Sequence, residues 1–287
     1  MLFSIGADPL VKLVSAIPGI IWSPWYLDDG SIVAPVSVIP DASNAVTTHW
    51  PAYGLHLNLG KCSSTVHGIS QALLQRCGVP NVPSHSLAEG QGTCLLANPL
   101  GTEDFVKGFV SDTVLKVQSF TDKLGDLHNP QVALYLLRHS LGIARVTHML
   151  RCIDPTVIKP QIDGFDAVLF SALGQICADD ISADAWIQAR LPIRMGGLGL
   201  THARSVSASA YAASFLTFVD SRDVIGFPWQ IHPPVGFQNS ANMLTNLTGG
   251  TIPVTKSWCT TDSTPSSGVS DHRFQHRWHH TSSPKPG

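Results

Sequence analysis

The 287-residue sequence carries few charged side chains: Asp, Glu, Lys and Arg together make up 13% of it, about half the usual share for a soluble domain. The net charge of −2 provides no overall positive field, which counts against autonomous binding of a polyanion through global charge. The six cysteines form no Cys-x-x-Cys pair. Neither a disulfide framework nor a cysteine-rich zinc site is therefore indicated, and reduced, mostly buried thiols are expected.

Long hydrophobic runs are also missing. No stretch of about eighteen apolar residues occurs, so a membrane span is not expected. The apolar amino-terminal stretch lacks a basic region and is interrupted by Asp8, Lys12 and Pro18, unlike a secretory signal. An intracellular location is expected, without a distinction between nucleus and cytoplasm. The apolar content of 44% is enough for a core, in a length that suits one large or two small domains.

Two adjacent carboxylates lie at a predicted tight turn in Trp25-Tyr26-Leu27-Asp28-Asp29-Gly30. Apolar residues precede and follow this stretch, and Asp-Gly between β-prone runs is a strong hairpin signal. Neighbouring carboxylates repel each other, and a cation relieves the repulsion. Hard oxygen ligands suit Mg²⁺ or Mn²⁺. Taken alone, Asp-Asp-Gly is more often an ordinary solvated turn.

Three further motifs follow in order. They are Gly54-Leu55-His56-Leu57-Asn58-Leu59-Gly60-Lys61-Cys62, then Asn98-Pro99-Leu100-Gly101-Thr102-Glu103-Asp104-Phe105-Val106, then Gln188-Ala189-Arg190-Leu191-Pro192-Ile193 with Gly196-Gly197-Leu198-Gly199-Leu200. Together with the hairpin they resemble the later palm motifs of reverse transcriptases, most closely the non-LTR retrotransposon type. The resemblance covers the chain from near Met1 to about Phe218, and the order of four motifs makes it more specific than any one alone.

The resemblance implies two-metal nucleotidyl transfer with Mg²⁺ or Mn²⁺, in which carboxylates hold two divalent ions. It places a metal ligand at Asp28, a weaker or supporting ligand at Asp29, and the primer terminus beside Tyr26. It also places Lys61 near the departing pyrophosphate, where an ammonium group would neutralise developing charge. Without the resemblance, Lys61 is better explained as a surface lysine.

One part of the family pattern is missing. The family's other essential aspartate lies on a strand well upstream of the hairpin, but the only carboxylate before Asp28 is Asp8, which the sequence places on a helix. The chain is therefore expected to begin inside the palm, without the fingers. Polymerase activity is not expected from this chain in isolation, and the metal would bind only if the missing carboxylate were supplied.

The predicted fold class is α+β, with three parts. Residues 1–101 are predicted to form a truncated palm, a small antiparallel sheet with helices on one face. Residues 102–220 show helical periodicity and are predicted to form a thumb-like bundle. Thr102 and Asn129-Pro130 mark two helix starts, and the second opens a long predicted helix that continues to Leu150. Further helices are predicted over about 156–177 and 203–219. Residues 221–287, rich in Pro, Ser, Thr, Gly and His, are predicted to be a disordered, low-order tail.

Arg138 and Arg145 lie seven residues apart, or two turns of one predicted helix. In a thumb they would contact the phosphates of an RNA or DNA template-primer, and the alternative is a solvated helix face. The glycine-rich stretch at 196–199 lacks the Gly-Lys-Ser/Thr ending of a phosphate loop. A tight connection between helices, anchored by Trp186 and Leu200, is expected instead.

The predicted function is therefore a partial RNA-directed DNA polymerase of retroelement origin, enzymatic by descent and inactive alone. The alternative is a non-catalytic helical module that binds nucleic acid or protein, and a decayed fragment without function is a third possibility. The expected partner is a template-primer, bound weakly or only by the ancestor, with no membrane partner.

Overall fold

Helices predominate in the computed structural model, which describes residues 2–58, 62, 64–65, 84–85, 92–227 and 231–248. Short strands accompany them, so the α+β class is confirmed. All the described residues belong to one compact unit, Met1–Val254, and the boundary near residue 101 stays a prediction. Within the described ranges no helix has the length and apolar character needed to cross a lipid bilayer.

The amino-terminal elements are helix α1 (Leu2–Ser15), strands β1 (Trp25–Tyr26) and β2 (Asp29–Gly30), and helix α2 (Ile39–His49). The two strands are antiparallel, as predicted, and pair Trp25 with Gly30 and Tyr26 with Asp29. A bridge between Trp22 and Val33 extends the ribbon. The turn lies one residue earlier than predicted. The connection is Leu27-Asp28, and Asp29-Gly30 forms the second strand.

Short strands elsewhere do not join this ribbon. Strands β3 (Ser64–Thr65) and β4 (Ser84–His85) pair in parallel, whereas β5 (Gly92–Leu95) and β6 (Asn98–Gly101) are antiparallel. The single antiparallel sheet predicted for residues 1–101 is therefore wrong for the described strands, which form three separate pairs. Each strand has only two to four residues, and Pro99 within β6 cannot donate a ladder hydrogen bond to a further strand.

The bundle after residue 101 is built from seven helices of the described chain. They are α3 (Glu103–Thr121), α4 (Pro130–Leu136), α5 (Thr147–Cys152), α6 (Lys159–Cys177), α7 (Ala183–Ala189), α8 (Ala203–Ser221) and α9 (Val235–Thr248). Both predicted caps are confirmed. The Thr102 hydroxyl accepts a hydrogen bond from the Phe105 N–H at 3.4 Å, and the Asn129 side chain accepts from the Val132 N–H at 3.2 Å. Phe165 and Leu137 are among the side chains buried at the centre.

The long helix predicted from residue 130 to 150 is interrupted. A π turn occupies Leu137–Leu141, a 3₁₀ turn occupies Ile143–Arg145, and α5 begins only at Thr147. The break falls at Gly142 (ψ −145°), where a side chain would be 2.8 Å from the Leu137 carbonyl oxygen. Arg138 and Arg145 therefore do not lie two turns apart on one continuous helix, as the sequence predicts.

The predicted start of the low-order tail at residue 221 is too early. Helix α9 follows it, with Phe237 and Ala241 fully buried, and the Phe237 ring lies 4.6 Å from the Phe215 ring of α8, centroid to centroid. Phe237, Ala241 and Leu244 recur at four- and three-residue steps, which mark one helix face. The surrounding Pro and Ser residues hide this short pattern. The rest of the predicted tail, 249–287, lies outside the described residues.

The four described cysteines are free thiols, but the prediction of mostly buried thiols is wrong for them. Cys94, Cys152 and Cys177 are exposed, and Cys62 is half-buried. Cys152 and Cys177 are the last residues of their helices, where side chains leave the core. Partial burial raises the pKa of the Cys62 and Cys152 thiols, which favours their neutral form.

Candidate functional site

The hairpin tip presents the predicted catalytic residues to solvent. Leu27 takes a left-handed conformation (φ 55°) in the two-residue connection, and Tyr26 is 65% exposed. Asp28 and Asp29 are both exposed, and neither forms an ion pair within the described part of the chain. Because cross-strand partners share a face, the side chains of Tyr26 and Asp29 lie on the same side of the ribbon.

Two tryptophans fix the base of this hairpin. The Trp25 ring lies directly over Gly30, so any side chain at position 30 would collide with it. The Trp25 ring also packs on Trp50, with 4.7 Å between ring centroids, and contacts the small cluster formed by Leu10, Val14 and Val46. The face of the ribbon opposite Tyr26 is therefore held against α1 and α2, which leaves the tip projecting.

The segment that resembles the next palm motif begins beside the hairpin. Leu55 and Leu57 pack against the same cluster as Trp25, and their two-residue spacing is that of an extended chain. The Leu55 N–H donates to the Trp50 carbonyl oxygen at 3.2 Å. Lys61, the predicted pyrophosphate-contacting residue, lies outside the described residues.

The described residues do not complete the two-metal site that the resemblance implies. A pair of divalent ions needs several hard oxygen ligands converging on one place. No group of three or more His, Cys, Asp or Glu side chains able to hold a metal ion occurs among the residues that the structure describes. Asp8 lies on α1, where it pairs with the Lys12 ammonium at 2.6 Å. Within the described part of the chain, Asp28 and Asp29 are thus two candidate ligands without a third.

The two predicted phosphate-binding arginines face different neighbours. Arg138, in the π turn, lies against the glycine-rich connection, with its Nε 3.3 Å from where a Cβ on Gly199 would be. The Arg145 Nε donates to the Ser140 carbonyl oxygen at 2.9 Å, and its guanidinium carbon lies 5.7 Å from the Phe120 ring centroid. Their role in substrate binding stays a prediction, but they do not form the single stripe that it assumed.

The glycine-rich stretch at 196–200 is a connection between helices α7 and α8, as predicted. Gly196 and Gly199 have φ values of 79° and 70°, and Leu200 is buried in the bundle core. Trp186 packs edge-on against Phe170, with 5.4 Å between ring centroids. The local geometry anchors the connection through these two apolar side chains.

No sequence motif indicates the buried polar cluster at the start of α8. The Asp166 carboxylate on α6 is 5% exposed and accepts hydrogen bonds from the backbone N–H groups of Ala203, at 2.7 Å, and Arg204, at 3.1 Å. The His202 Nε2 lies 3.2 Å from the same carboxylate. Burial raises the pKa of Asp166, although the two backbone hydrogen bonds act in the opposite direction. Burial lowers the pKa of His202, because in both residues it disfavours the charged form. Because these partners lie about forty residues apart, no short motif connects them.

Comparison with protein-family models, with curated proteins and with solved structures finds no match to this chain. The interpretation of the hairpin therefore depends on the residues themselves and on their arrangement.

Proposed function

We propose that this chain is the carboxyl-terminal palm and thumb portion of a non-LTR retrotransposon-type reverse transcriptase. Its nucleotidyl-transfer chemistry is inherited by descent and is incomplete in this chain alone. The observation that supports the proposal best is that the hairpin and the segment leading to Lys61 start from one small hydrophobic cluster. The hairpin projects Tyr26, Asp28 and Asp29 into solvent, and the segment leading to Lys61 starts from the same cluster.

The geometry of the tip fits this role. A substrate as bulky as a nucleic-acid end is reached more easily by a projecting two-residue turn than by a buried strand. Tyr26 shares a face with Asp29, so an aromatic side chain would stand beside the carboxylates. The helices that follow the palm-like segment, from Glu103 onward, would form the thumb.

The same geometry explains why the chain would be inactive alone. Asp28 and Asp29 provide two carboxylates on one hairpin, and two-metal nucleotidyl transfer needs a further ligand from another element. In an intact enzyme of this type, the missing ligand and the fingers would belong to polypeptide that precedes the hairpin. Asp8 is unsuited to replace it, because it faces Lys12 on α1.

Primer extension on an RNA template with Mg²⁺ or Mn²⁺ tests the proposal in two steps. The chain alone should give no synthesis above background. A chimera that joins the fingers and upstream palm of an active non-LTR reverse transcriptase to this chain, starting at α1, should synthesise DNA. That synthesis should be lost in Asp28→Asn and retained in Asp41→Asn, which changes an exposed carboxylate on α2.

Two results would contradict the proposal. One is robust synthesis by the chain alone that Asp28→Ala abolishes, because the chain would then be catalytically complete. The other is a folded chimera whose synthesis is the same with Asp28→Asn as without it, because the hairpin would then have no catalytic ancestry.

A further inference from the structure

Charge is unevenly distributed along the chain despite the net value of −2. Between residues 127 and 153 there is no Asp or Glu, whereas Arg138, Arg145 and Arg151 lie there together with three histidines. This stretch runs from the start of α4 through the π turn to the end of α5. The stretch itself therefore carries positive charge, with Asp126 and Asp154 as the flanking acids.

An exposed aromatic ring adjoins this positive stretch. Phe120, near the end of α3, is 47% exposed, and the Arg145 guanidinium lies over its ring. The arginine is held there by its hydrogen bond to the Ser140 carbonyl oxygen, and it forms no ion pair with any described residue. A guanidinium held over an exposed ring can bind a ligand through its charge and through stacking on a flat surface.

A second aromatic pair lies on the stretch that packs against α3. The Tyr135 and His139 rings are 4.5 Å apart, centroid to centroid, at an interplanar angle of 40°, and Tyr135 is 62% exposed. His139 precedes Ser140, which accepts the hydrogen bond from Arg145, and the π turn that holds both residues packs against α3, the helix that carries Phe120. We call Phe120, Tyr135, His139 and Arg145 the stacking surface.

Two lysines extend the positive charge beside Phe120. Lys116 lies one helical turn before Phe120 on the same face of α3, and Lys123 follows three residues after it. Both are exposed, and neither forms an ion pair within the described chain. Asp112 is the nearest acid along that face, and it lies one turn further from Phe120 than Lys116 does.

We propose that the stacking surface binds single-stranded nucleic acid. Unpaired bases would stack on Phe120 and on the Tyr135–His139 pair, and the phosphates would lie near Arg145 and the two lysines. Exposed rings favour unpaired bases because the bases of a duplex are already stacked on one another. An apolar protein partner fits less well, because it would leave the cations of the surface desolvated and unpaired.

This inference goes beyond the proposed function. It needs neither the hairpin nor a metal ion, and its ligand is an unpaired strand instead of a template-primer duplex. The charge pattern and the two ring contacts support it independently of any resemblance.

Fluorescence anisotropy with labelled oligouridylate and oligodeoxythymidylate, in EDTA, tests the inference on the full chain. Binding should weaken steeply as salt rises, because each phosphate contact releases counterions. Phe120→Leu and Tyr135→Leu should each weaken binding about tenfold, within the range of one lost base-stacking contact. Tyr135→Phe should bind like the wild type, since it keeps the ring.

Matched variants separate this surface from general effects. Tyr53→Leu removes another exposed tyrosine, and Arg194→Gln removes an exposed arginine outside the surface. Neither should match the loss of binding caused by Tyr135→Leu or Arg145→Gln. Asp41→Asn, which changes an exposed carboxylate on α2, should leave binding in EDTA unchanged. Circular dichroism confirms that each variant is folded.

Three results would overturn the inference. They are the absence of oligonucleotide binding by the wild type at low salt, equal losses in the matched variants, and binding of a DNA duplex tighter than of either single strand. Loss of polymerase activity in the chimera would not bear on it, since no step of this assay involves the hairpin.

Discussion

The Asp166 carboxylate lies 2.7 Å from the backbone nitrogen of Ala203 and joins helix α6 to the first turn of α8. His202, at the N-cap position of α8, makes no side-chain cap hydrogen bond of its own. A carboxylate from another helix therefore satisfies two N–H groups that a helix start leaves without partners. A negative charge at this end is also favoured by the helix dipole.

Removal of this carboxylate should destabilise the bundle. In Asp166→Ala two backbone N–H groups would lose their acceptor, one of them in a buried position, and the free energy of unfolding should fall by about 2 kcal/mol. Urea denaturation followed by circular dichroism measures the change. Asp163→Ala is the matched control, because it breaks an exposed ion pair with Arg204 and should cost under about 1 kcal/mol. Equal losses in both variants would contradict the capping role.

His202 should give the stability of the protein a dependence on pH. Because burial lowers its pKa from the ordinary 6.5, the folded state binds its proton less well than the unfolded chain. Its contribution to stability is therefore present above the ordinary value and is lost as the pH falls through that value. The neighbouring Arg190 and Arg204 act in the same direction, whereas Asp166 and Asp163 oppose it.

The test compares unfolding of the wild type and His202→Gln between pH about 7.5 and about 5.5. The loss of stability on acidification should be smaller in the variant than in the wild type. The raised pKa of Asp166 has the opposite sign, because its contribution is present at low pH and falls as the pH rises above its ordinary 3.8. An unchanged slope in His202→Gln would show that this histidine is not the titrating group.

Gly30→Ala should disturb the hairpin through its tryptophan. The new methyl group would displace the Trp25 ring from its position over residue 30, and overpacking of this kind costs about 1–3 kcal/mol. Tryptophan fluorescence during denaturation reports on the change. Gly6→Ala is the control, because no atom outside the local helix backbone and the adjacent residues lies within 4 Å of the new methyl group, and alanine favours a helix. Stabilisation by both substitutions would mean that Trp25 does not pack over residue 30.

Helix α9 should be an integral part of the fold. Phe237→Ala would empty a fully buried position beside Phe215, which costs about 3–5 kcal/mol for a core phenylalanine. Val235→Ala, at a position 70% exposed, should change stability by less than about 0.5 kcal/mol. Chemical denaturation distinguishes the two, and a similar small effect of both would place Phe237 outside the cooperative core.

Local signals account for what could be predicted from the sequence. A cap residue acts on the N–H groups two or three positions ahead, so Thr102 and Asn129 identify helix starts without any tertiary information. The Asp-Gly pair likewise predicts a hairpin near residue 28. It does not predict that only glycine fits at position 30 under the Trp25 ring, because this requirement arises from packing between the two strands.

The interruption at Gly142 and the Asp166–Ala203 contact could not be predicted for the same reason. The hydrophobic pattern of residues 132–150 continues through the break, so periodicity alone favours one helix there. In the candidate site, too, local features could be predicted and tertiary contacts could not. Exposure of Asp28 and Asp29 at a hairpin follows from the local sequence, whereas the position of Arg145 over Phe120 depends on the interrupted helix.

The π turn at Leu137–Leu141 also determines where the chain can change its length. Each π hydrogen bond spans five residues, one more than an α hydrogen bond, so the turn could absorb the deletion of one residue by tightening into an α turn. The same deletion within α6 would rotate everything after it by about 100° and turn Phe165 or Leu169 away from the core. Among the described helices of the bundle, this turn should therefore tolerate a single-residue deletion best. The deletion should also change the orientation of Arg145.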